Sequence, residues 1–206
     1  PGLAAAYADW VGVAHRAGID ALLIARHIVF GPLFPASESD VAVVVIDEET
    51  YRTPPFRDTP KVAWTPMLAP LIEAIDGAGA TVIGLDQIYP TSLDRGDLLP
   101  GFDRPLLKAF YKVGRAGRLV LGETRLSRQA LSPYPGQVMA VGGNRNLASL
   151  NLILDRDEIV RRHPAWFREP DGSERASFAV ELARRAGRTP PAGDFLINYN
   201  TGPNDI

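Results

Sequence analysis

Two short and almost uninterrupted apolar runs are the clearest pattern in the chain. They cover residues 41–47 (VAVVVID) and 80–86 (ATVIGLD), and each ends on an aspartate. Runs of four to eight aliphatic residues without polar alternation are typical of strands that are buried on both faces of a parallel sheet. The stretch at 65–77 between them has helical apolar spacing and begins with Thr-Pro, which predicts a helix. The pattern therefore predicts a strand, a right-handed crossover helix and a second strand.

The remaining apolar runs extend this order with less regular spacing. The further predicted elements are a helix over 103–111 with Asp103 as N-cap, strands over 118–123, 137–143, 148–154 and 159–167, a helix over 176–186 and a strand over 195–199. The turn at 155–158 (DRDE) is expected to join its two flanking strands as a hairpin. The predicted fold class is α/β: a three-layer α/β/α sandwich with a largely parallel central sheet, a β-hairpin in the C-terminal half and a long N-terminal helix.

The long N-terminal helix is predicted from apolar residues that recur at alternating steps of four and three. These residues are Leu3, Tyr7, Trp10, Ala14, Ala17, Ala21, Ile24 and Ile28. Such a stripe fits either an amphipathic helix on the domain's own core or a seam against a second subunit. Gly12 and Gly18 weaken a free-standing helix and favour the first interpretation. We predict two parts, a helix in residues 1–30 and an α/β domain in residues 31–206.

Composition narrows the possible functions. The 206 residues, 46% hydrophobic, are enough for one α/β domain, and 22 basic and 24 acidic residues are mixed along the chain. This balance provides no basic face, so we expect no nucleic-acid partner. The absence of cysteine excludes thiol nucleophiles and thiolate zinc sites. The longest apolar region, 19–34, is interrupted by charged residues and is not expected to cross a bilayer. Because the chain starts at Pro1 without an initiator Met, we expect it to be part of a longer protein.

The strand-end acids are the first candidate site residues. Asp47 and Asp86 are expected to share the carboxyl edge of the sheet, where open parallel sheets bind ligands. The Pro-rich connection at 48–64 is a candidate ligand-covering loop. With Glu48 or Glu49, the two aspartates could hold a divalent cation for metal-dependent hydrolysis or phosphoryl transfer. The commoner role of such acids is to cap the following turn.

Arg161 is a second candidate, because it lies next to Arg162 on a predicted strand. Consecutive strand side chains face opposite ways, so only one of the two can face a given pocket. An inward arginine could bind a carboxylate or a phosphate. No zinc-type histidine spacing, nucleophile elbow or correctly placed phosphate-binding glycine loop accompanies these residues.

Several segments in a fixed order resemble the type-two CHASE domain, an extracellular sensory module of bacterial adenylate cyclases, histidine kinases and serine/threonine kinases. The segments are VVVIDEETY, LIEAIDGAGATVIGLDQIY, LNLILDRDEIVRRHPAWF, SFAVELARRAG and FLINYNTG. Positions that recur in the family's pattern are matched by Asp47, Asp86, Asp103, Asp155, Asp157 and Arg161. The glycine usual after the second aspartate of the turn is Glu158 here. A residue with a side chain resists positive φ, so this turn is expected to differ.

The resemblance implies a periplasmic or extracellular domain at the bacterial inner membrane, held by one membrane helix before it and several after it. It implies no catalysis and no cofactor in this domain, and a signal passed to a cytoplasmic cyclase or kinase. We predict that Asp47, Asp86, Asp103 and Arg161 bind a small molecule or ion, which the resemblance does not identify. A homodimer through the N-terminal helix is expected. The alternatives are a metal-dependent hydrolase or phosphotransferase that uses the strand-end carboxylates, and a structural spacer that binds partner proteins.

Overall fold

The computed structural model describes residues 2–31, 39–95, 98–125, 130–169, 171–197 and 199, with side chains from residue 10 onward. The chain divides into two units. One comprises residues 1–45 and 197–206, and the other comprises residues 46–196. The second unit contains the sheet and the candidate site. The predicted boundary after residue 30 stays a prediction.

The first unit contains the predicted long helix, α1 (Gly2–Phe30). The described stripe positions of α1 are exposed, and Trp10 and Ile28 keep 77% and 76% of their surface accessible. Leu3 and Tyr7 lie outside the described side chains. The stripe is therefore open in the single chain as far as it is described.

Residues 41–47 do not form the predicted strand. This segment has no sheet assignment, and Val41 and Val43 are exposed. An apolar run of this kind favours extended backbone. A strand also needs a neighbouring strand whose backbone hydrogen-bonds to its N–H and C=O groups. Within the described residues this run has no ladder partner, so the prediction is wrong.

The second unit is built on a parallel sheet. Its strands, in spatial order, are β1 (Ile83–Leu85), β2 (Leu119–Glu123) and β3 (Leu147–Ser149). Leu85 lies opposite Leu121, and Glu123 lies opposite Ser149. The largely parallel central sheet is confirmed. All three strands end at the same edge, which we call the carboxyl edge.

Helices cover both faces of this sheet. They are α3 (Thr65–Gly77), α4 (Arg104–Arg115), α5 (Pro135–Val141) and α6 (Phe178–Arg185), and a further short helix, α2 (Glu48–Arg52), precedes them in the chain. On one face, Leu68 of α3 and Phe110 of α4 join Leu121 of the sheet in the main core. On the other face, Gly84 leaves room for α6, because a Cβ there would lie 2.7 Å from Leu182 Cδ1. The three-layer arrangement is confirmed.

Residues 137–143, predicted as a strand, belong to a helix instead. Pro135 occupies the first turn of α5, and Gly142 ends the helix in the left-handed region at φ 104°. Proline at the start and glycine at the end are the usual helix boundaries. These boundary residues outweigh the strand preference of the valines between them.

The C-terminal half contains antiparallel pairs, with partners that differ from those predicted. β4 (Arg162–His163) pairs with β7 (Phe195–Leu196), and β5 (Trp166–Arg168) forms a hairpin with β6 (Glu174–Ala176). The turn at 155–158 does form, since Asp155 N donates to Ile159 O at 2.9 Å. The predicted strand before it stops at Ser149. A hairpin is therefore present, but it spans residues 166–176 and not the predicted 148–167.

The connection at 48–64 is ordered around Trp64. This side chain is fully buried, and its ring centroid lies 5.0 Å from that of Tyr51 and 4.9 Å from that of Phe56. Its indole N–H donates to Thr59 O at 2.8 Å. The segment is therefore a packed cap built from α2 and a 3₁₀ turn at Lys61–Ala63.

Candidate functional site

Two acidic residues end neighbouring strands at the carboxyl edge. Asp86 directly follows β1 and is exposed, whereas Glu123 is the last residue of β2 and has no exposed surface. Because β1 and β2 are parallel and in register, both carboxylates lie at one edge of the sheet. A buried carboxylate requires partners, so the surroundings of Glu123 define the candidate site.

Asp47 is a helix cap. Its carboxylate accepts from Thr50 N and Thr50 Oγ1, each at 2.9 Å, as the N-cap of α2. These hydrogen bonds lower the pKa of the exposed Asp47 carboxyl. Asp47 and Asp86 were expected to end two strands of the same sheet. Because residues 41–47 form no strand, Asp47 does not end one. The capping role that the sequence also allowed is confirmed, and a ligand-binding role stays a prediction.

Asp103 is buried between α3, α4 and the connection that follows β1. It is only 1% exposed, and it accepts hydrogen bonds from Thr65 Oγ1 at 2.5 Å and from Ser92 Oγ. It stands at the N-cap position of α4, as expected, but its side chain makes no capping bond there. Its visible role is to join three segments, and its predicted ligand contact stays a prediction.

Arg161 faces inward and Arg162 faces outward, as the strand alternation predicts. The 2% exposed Arg161 contacts Asp155 Oδ2 at 3.0 Å and Asp157 Oδ1 at 2.8 Å through Nη1. Two carboxylates of its own turn therefore contact it, and its predicted ligand contact stays a prediction. Glu158 takes φ 63° in this turn, the left-handed conformation that the family's glycine would adopt without strain.

The surroundings of Glu123 form a closed ring of four charged residues, which we call the Glu–Arg quartet. Arg125 lies 3.2 Å from Glu123 and 2.9 Å from Glu169, and Arg175 lies 2.8 Å and 2.6 Å from the same two carboxylates. Ser132 Oγ also donates to Glu123 Oε2 at 3.1 Å. Every member therefore has two partners of opposite charge. These ion pairs offset the desolvation cost of burying the two glutamates.

The quartet joins distant parts of the second unit. Glu123 ends β2, Glu169 directly follows β5, and Arg175 lies in β6. Arg175 also donates to Asn144 O at 3.1 Å, next to the start of β3. The arrangement connects the carboxyl edge of the parallel sheet to the C-terminal hairpin. These charged contacts are therefore a direct link between the two elements.

The electrostatics of the quartet favour the charged forms of Glu169 and Arg125. Burial by itself raises the pKa of Glu169, but the hydrogen bond and positive charge of Arg175, with the charge of Arg125, outweigh it and lower that pKa below its ordinary value. Burial likewise opposes the charge of Arg125, whereas Glu123 and Glu169 raise its pKa.

A surface hollow of about 250 Å³ opens beside the quartet. The described residues that line it are Arg125, Ala130, Ser132, Glu169 and Asp171. Arg125 and Glu169 belong to the quartet, so any molecule in the hollow would contact the ring directly. Polar groups around a small concave surface at the end of parallel strands are the usual setting of a ligand site.

Sequence reasoning missed all four quartet residues. The rule that singled out the strand-end aspartates would also have selected Glu123, which ends the run at 118–123. Arg125 follows it closely in the chain, but Glu169 and Arg175 come from the distant C-terminal hairpin, and no local pattern marks them. Only the folded chain shows that they meet.

Two kinds of feature are absent from the described residues. In the described part of the chain, no group of three or more His, Asp or Glu side chains is placed to hold a metal ion. Among the described residues, no helix has the length and hydrophobicity that a membrane span requires.

Comparison with known proteins gives one match. The family model for the CHASE2 domain matches residues 5–205, which is nearly the whole chain. No curated protein and no solved structure matches the chain significantly.

Proposed function

The chain belongs to the CHASE2 domain family, and from this membership we propose that it is the ligand-binding domain of a bacterial transmembrane receptor that signals to a cytoplasmic cyclase or kinase. CHASE2 domains are extracellular sensory domains and not catalytic ones. The match over residues 5–205 is the observation on which the proposal depends. The metal-dependent hydrolase or phosphotransferase is not favoured by it.

The Glu–Arg quartet supplies a physical route for such a signal. A ligand in the adjacent hollow would compete for Arg125 or Glu169 and so weaken contacts between β2 and the C-terminal hairpin. A ligand shifts a conformational equilibrium only by binding one state better than the other. If the contacts of the quartet differ between the ligand-free and ligand-bound conformations, the ligand would bind one conformation better than the other.

The N-terminal helix is the proposed contact with a second subunit. Its exposed apolar stripe, which includes Trp10, Ile24 and Ile28, has the spacing of a helical seam. Burial of this stripe in a homodimer would remove apolar surface from water. We further propose that membrane helices outside residues 1–206 hold the domain at the periplasmic face of the inner membrane.

The relay is tested on the full-length protein in membrane vesicles. Arg175→Gln opens the quartet, and we expect at least a twofold change in cyclase or kinase activity per folded receptor, because a shift of only about 0.4 kcal/mol between two states is enough for that. Arg184→Gln is the matched control, since Arg184 is an exposed arginine paired outside the quartet. Equal activity of Arg175→Gln and the control would reject a relay through the quartet.

The location is tested separately on whole cells. Protease added to spheroplasts should cut the domain while a cytoplasmic marker stays intact. Protection of the domain until the membrane is permeabilised would reject the extracytoplasmic location.

A further inference from the structure

The lining of the quartet hollow includes groups of opposite charge. Arg125 contributes a guanidinium, and Asp171 contributes a carboxylate. The structure records no ion pair between these two described side chains, although each is placed to line the same hollow. A positive and a negative group therefore face a shared space without touching.

Both groups retain capacity for a further hydrogen bond. Arg125 uses Nε for Glu123 and Nη1 for Glu169, and no acceptor from the described residues is recorded for Nη2. Asp171 Oδ1 accepts from Ser173 N at 2.9 Å and from Ser173 Oγ at 2.6 Å, while no donor from the described residues is recorded for Oδ2. As far as the chain is described, the hollow thus offers one cationic donor and one anionic acceptor that have no recorded partner.

These two groups are close enough to interact electrostatically. Hydrogen bonds from Ser173 lower the pKa of Asp171, and the positive charge of Arg125 lowers it further. Asp171 is outside the quartet and exposed, so it is available to a ligand and is not needed to balance the buried charges.

We propose that this hollow binds a small zwitterion of the free amino-acid class, with its carboxylate on Arg125 and its ammonium group on Asp171. The assignment rests on the proposed sensory function and names the ligand class of that site. The volume of about 250 Å³ lies below the roughly 300 to 1,000 Å³ of drug-sized pockets, which favours a ligand of a few heavy atoms.

The charges distinguish a zwitterion from simpler ions. A simple carboxylate would approach Arg125 but be repelled by Glu169 and Asp171. A simple amine would approach Asp171 but be repelled by Arg125. A molecule that carries both a carboxylate and an ammonium group can pair with Arg125 and Asp171 at once. Both hydrogen bonds would be charge-assisted, and such hydrogen bonds are stronger than neutral ones.

Three probes with related carbon skeletons test this assignment by calorimetric titration of the purified chain. They are L-alanine, propionate, which lacks the ammonium group, and ethylamine, which lacks the carboxylate. We expect L-alanine to bind at least about tenfold more tightly than either of the other two, because it satisfies both charged groups.

Asp171→Asn is the test variant, because Asp171 lies outside the quartet and its loss should not unfold the chain. We expect it to weaken L-alanine binding about tenfold and to reduce the preference for L-alanine over propionate to within about twofold. The matched control is Glu174→Gln, which removes another exposed acid of the same hairpin that does not line the hollow and should keep both values.

The outcomes separate this assignment from the receptor function. Absence of binding by all three probes, propionate binding as tight as that of L-alanine, or an unchanged preference in Asp171→Asn would each overturn the zwitterion assignment. The relay is judged from the ligand-free effector activity of Arg175→Gln, so it can survive any of these results. L-alanine binding together with unchanged effector activity would keep the ligand and reject the relay.

Discussion

Arg175 Nε lies 2.8 Å from the fully buried carboxylate of Glu123, and this contact joins the hairpin strand β6 to the end of the parallel strand β2. The same nitrogen lies 2.6 Å from Glu169. This guanidinium therefore shares with Arg125 the neutralisation of two buried glutamates. The stability of the second unit should depend on it strongly.

Replacement of Arg175 by Gln should destabilise the chain by about 3 to 5 kcal/mol, because loss of one partner leaves buried charge uncompensated. Urea unfolding at neutral pH measures this loss. Arg184→Gln is the comparison, since the side chain of Arg184 is 58% exposed and its partner Glu181 keeps Arg185 as a second partner, and it should cost less than about 1 kcal/mol. Equal losses in the two variants would mean that the quartet is not a stabilising unit.

Acid should destabilise the chain partly through Glu169. Its pKa is lowered in the folded state, so the folded state binds fewer protons than the unfolded one and unfolding takes up a proton. This contribution is fully present above the ordinary glutamate value of 4.5 and is lost as the pH falls through the lower folded value. Between about pH 5 and pH 3, the free energy of unfolding of Glu169→Gln should fall less steeply than that of the parent chain.

The control for this acid response is Glu174→Gln, which removes an exposed carboxylate from the same hairpin. Its slope between the same two pH values should match that of the parent. If Glu169→Gln shows the parent slope as well, the lowered pKa of Glu169 does not contribute to acid unfolding.

Glu158→Gly should stabilise the turn at 155–158. Glu158 has φ 63°, a conformation that costs a residue with a Cβ about 1 to 2 kcal/mol. Glycine avoids this cost, but it loses more conformational entropy on folding, which costs about 0.5 to 1 kcal/mol. The net gain should be up to about 1 kcal/mol, seen as a higher urea midpoint with an unchanged m-value. Glu158→Ala removes the carboxylate but keeps the Cβ, so it should give no gain. A similar gain in both variants would assign the effect to charge.

Asp103→Ala should destabilise the chain by at least about 2 kcal/mol, because Thr65 and Ser92 lose a buried charged acceptor. Asp86→Ala removes an exposed strand-end carboxylate and should change the free energy of unfolding by less than about 0.5 kcal/mol. Thermal or urea unfolding of the two variants makes the comparison. An Asp103→Ala variant as stable as Asp86→Ala would show that the buried hydroxyl contacts contribute little.

Elements with clear boundary residues were the ones that sequence reasoning predicted well. The helix at 65–77 has Thr-Pro at its start and glycine at its end, and the structure places α3 over the same residues. The helix predicted at 176–186 matches α6 because Ser177 accepts from Val180 N as its N-cap. Local chemistry decides such boundaries, so a sequence is sufficient to find them.

Predictions that depended on a distant partner were less successful. The run at 41–47 has the composition of a buried strand, but nothing in a sequence shows whether a neighbouring strand is present. The quartet likewise depends on partners that are distant in the sequence. Glu123 meets Glu169 and Arg175 only after the hairpin folds back onto the sheet. Pairing of charges across such separations is a property of the tertiary structure, and the candidate site was therefore only partly predictable.

The three tryptophans of the chain lie in different elements and differ in solvent exposure. Trp64 is fully buried, whereas Trp166 in β5 is 45% exposed and Trp10 in α1 is 77% exposed. Collisional quenchers should therefore reach the emission of α1 and of the hairpin and leave that of the packed cap intact. Because each indole reports on a different element, the protein can be followed by its own fluorescence without an attached dye.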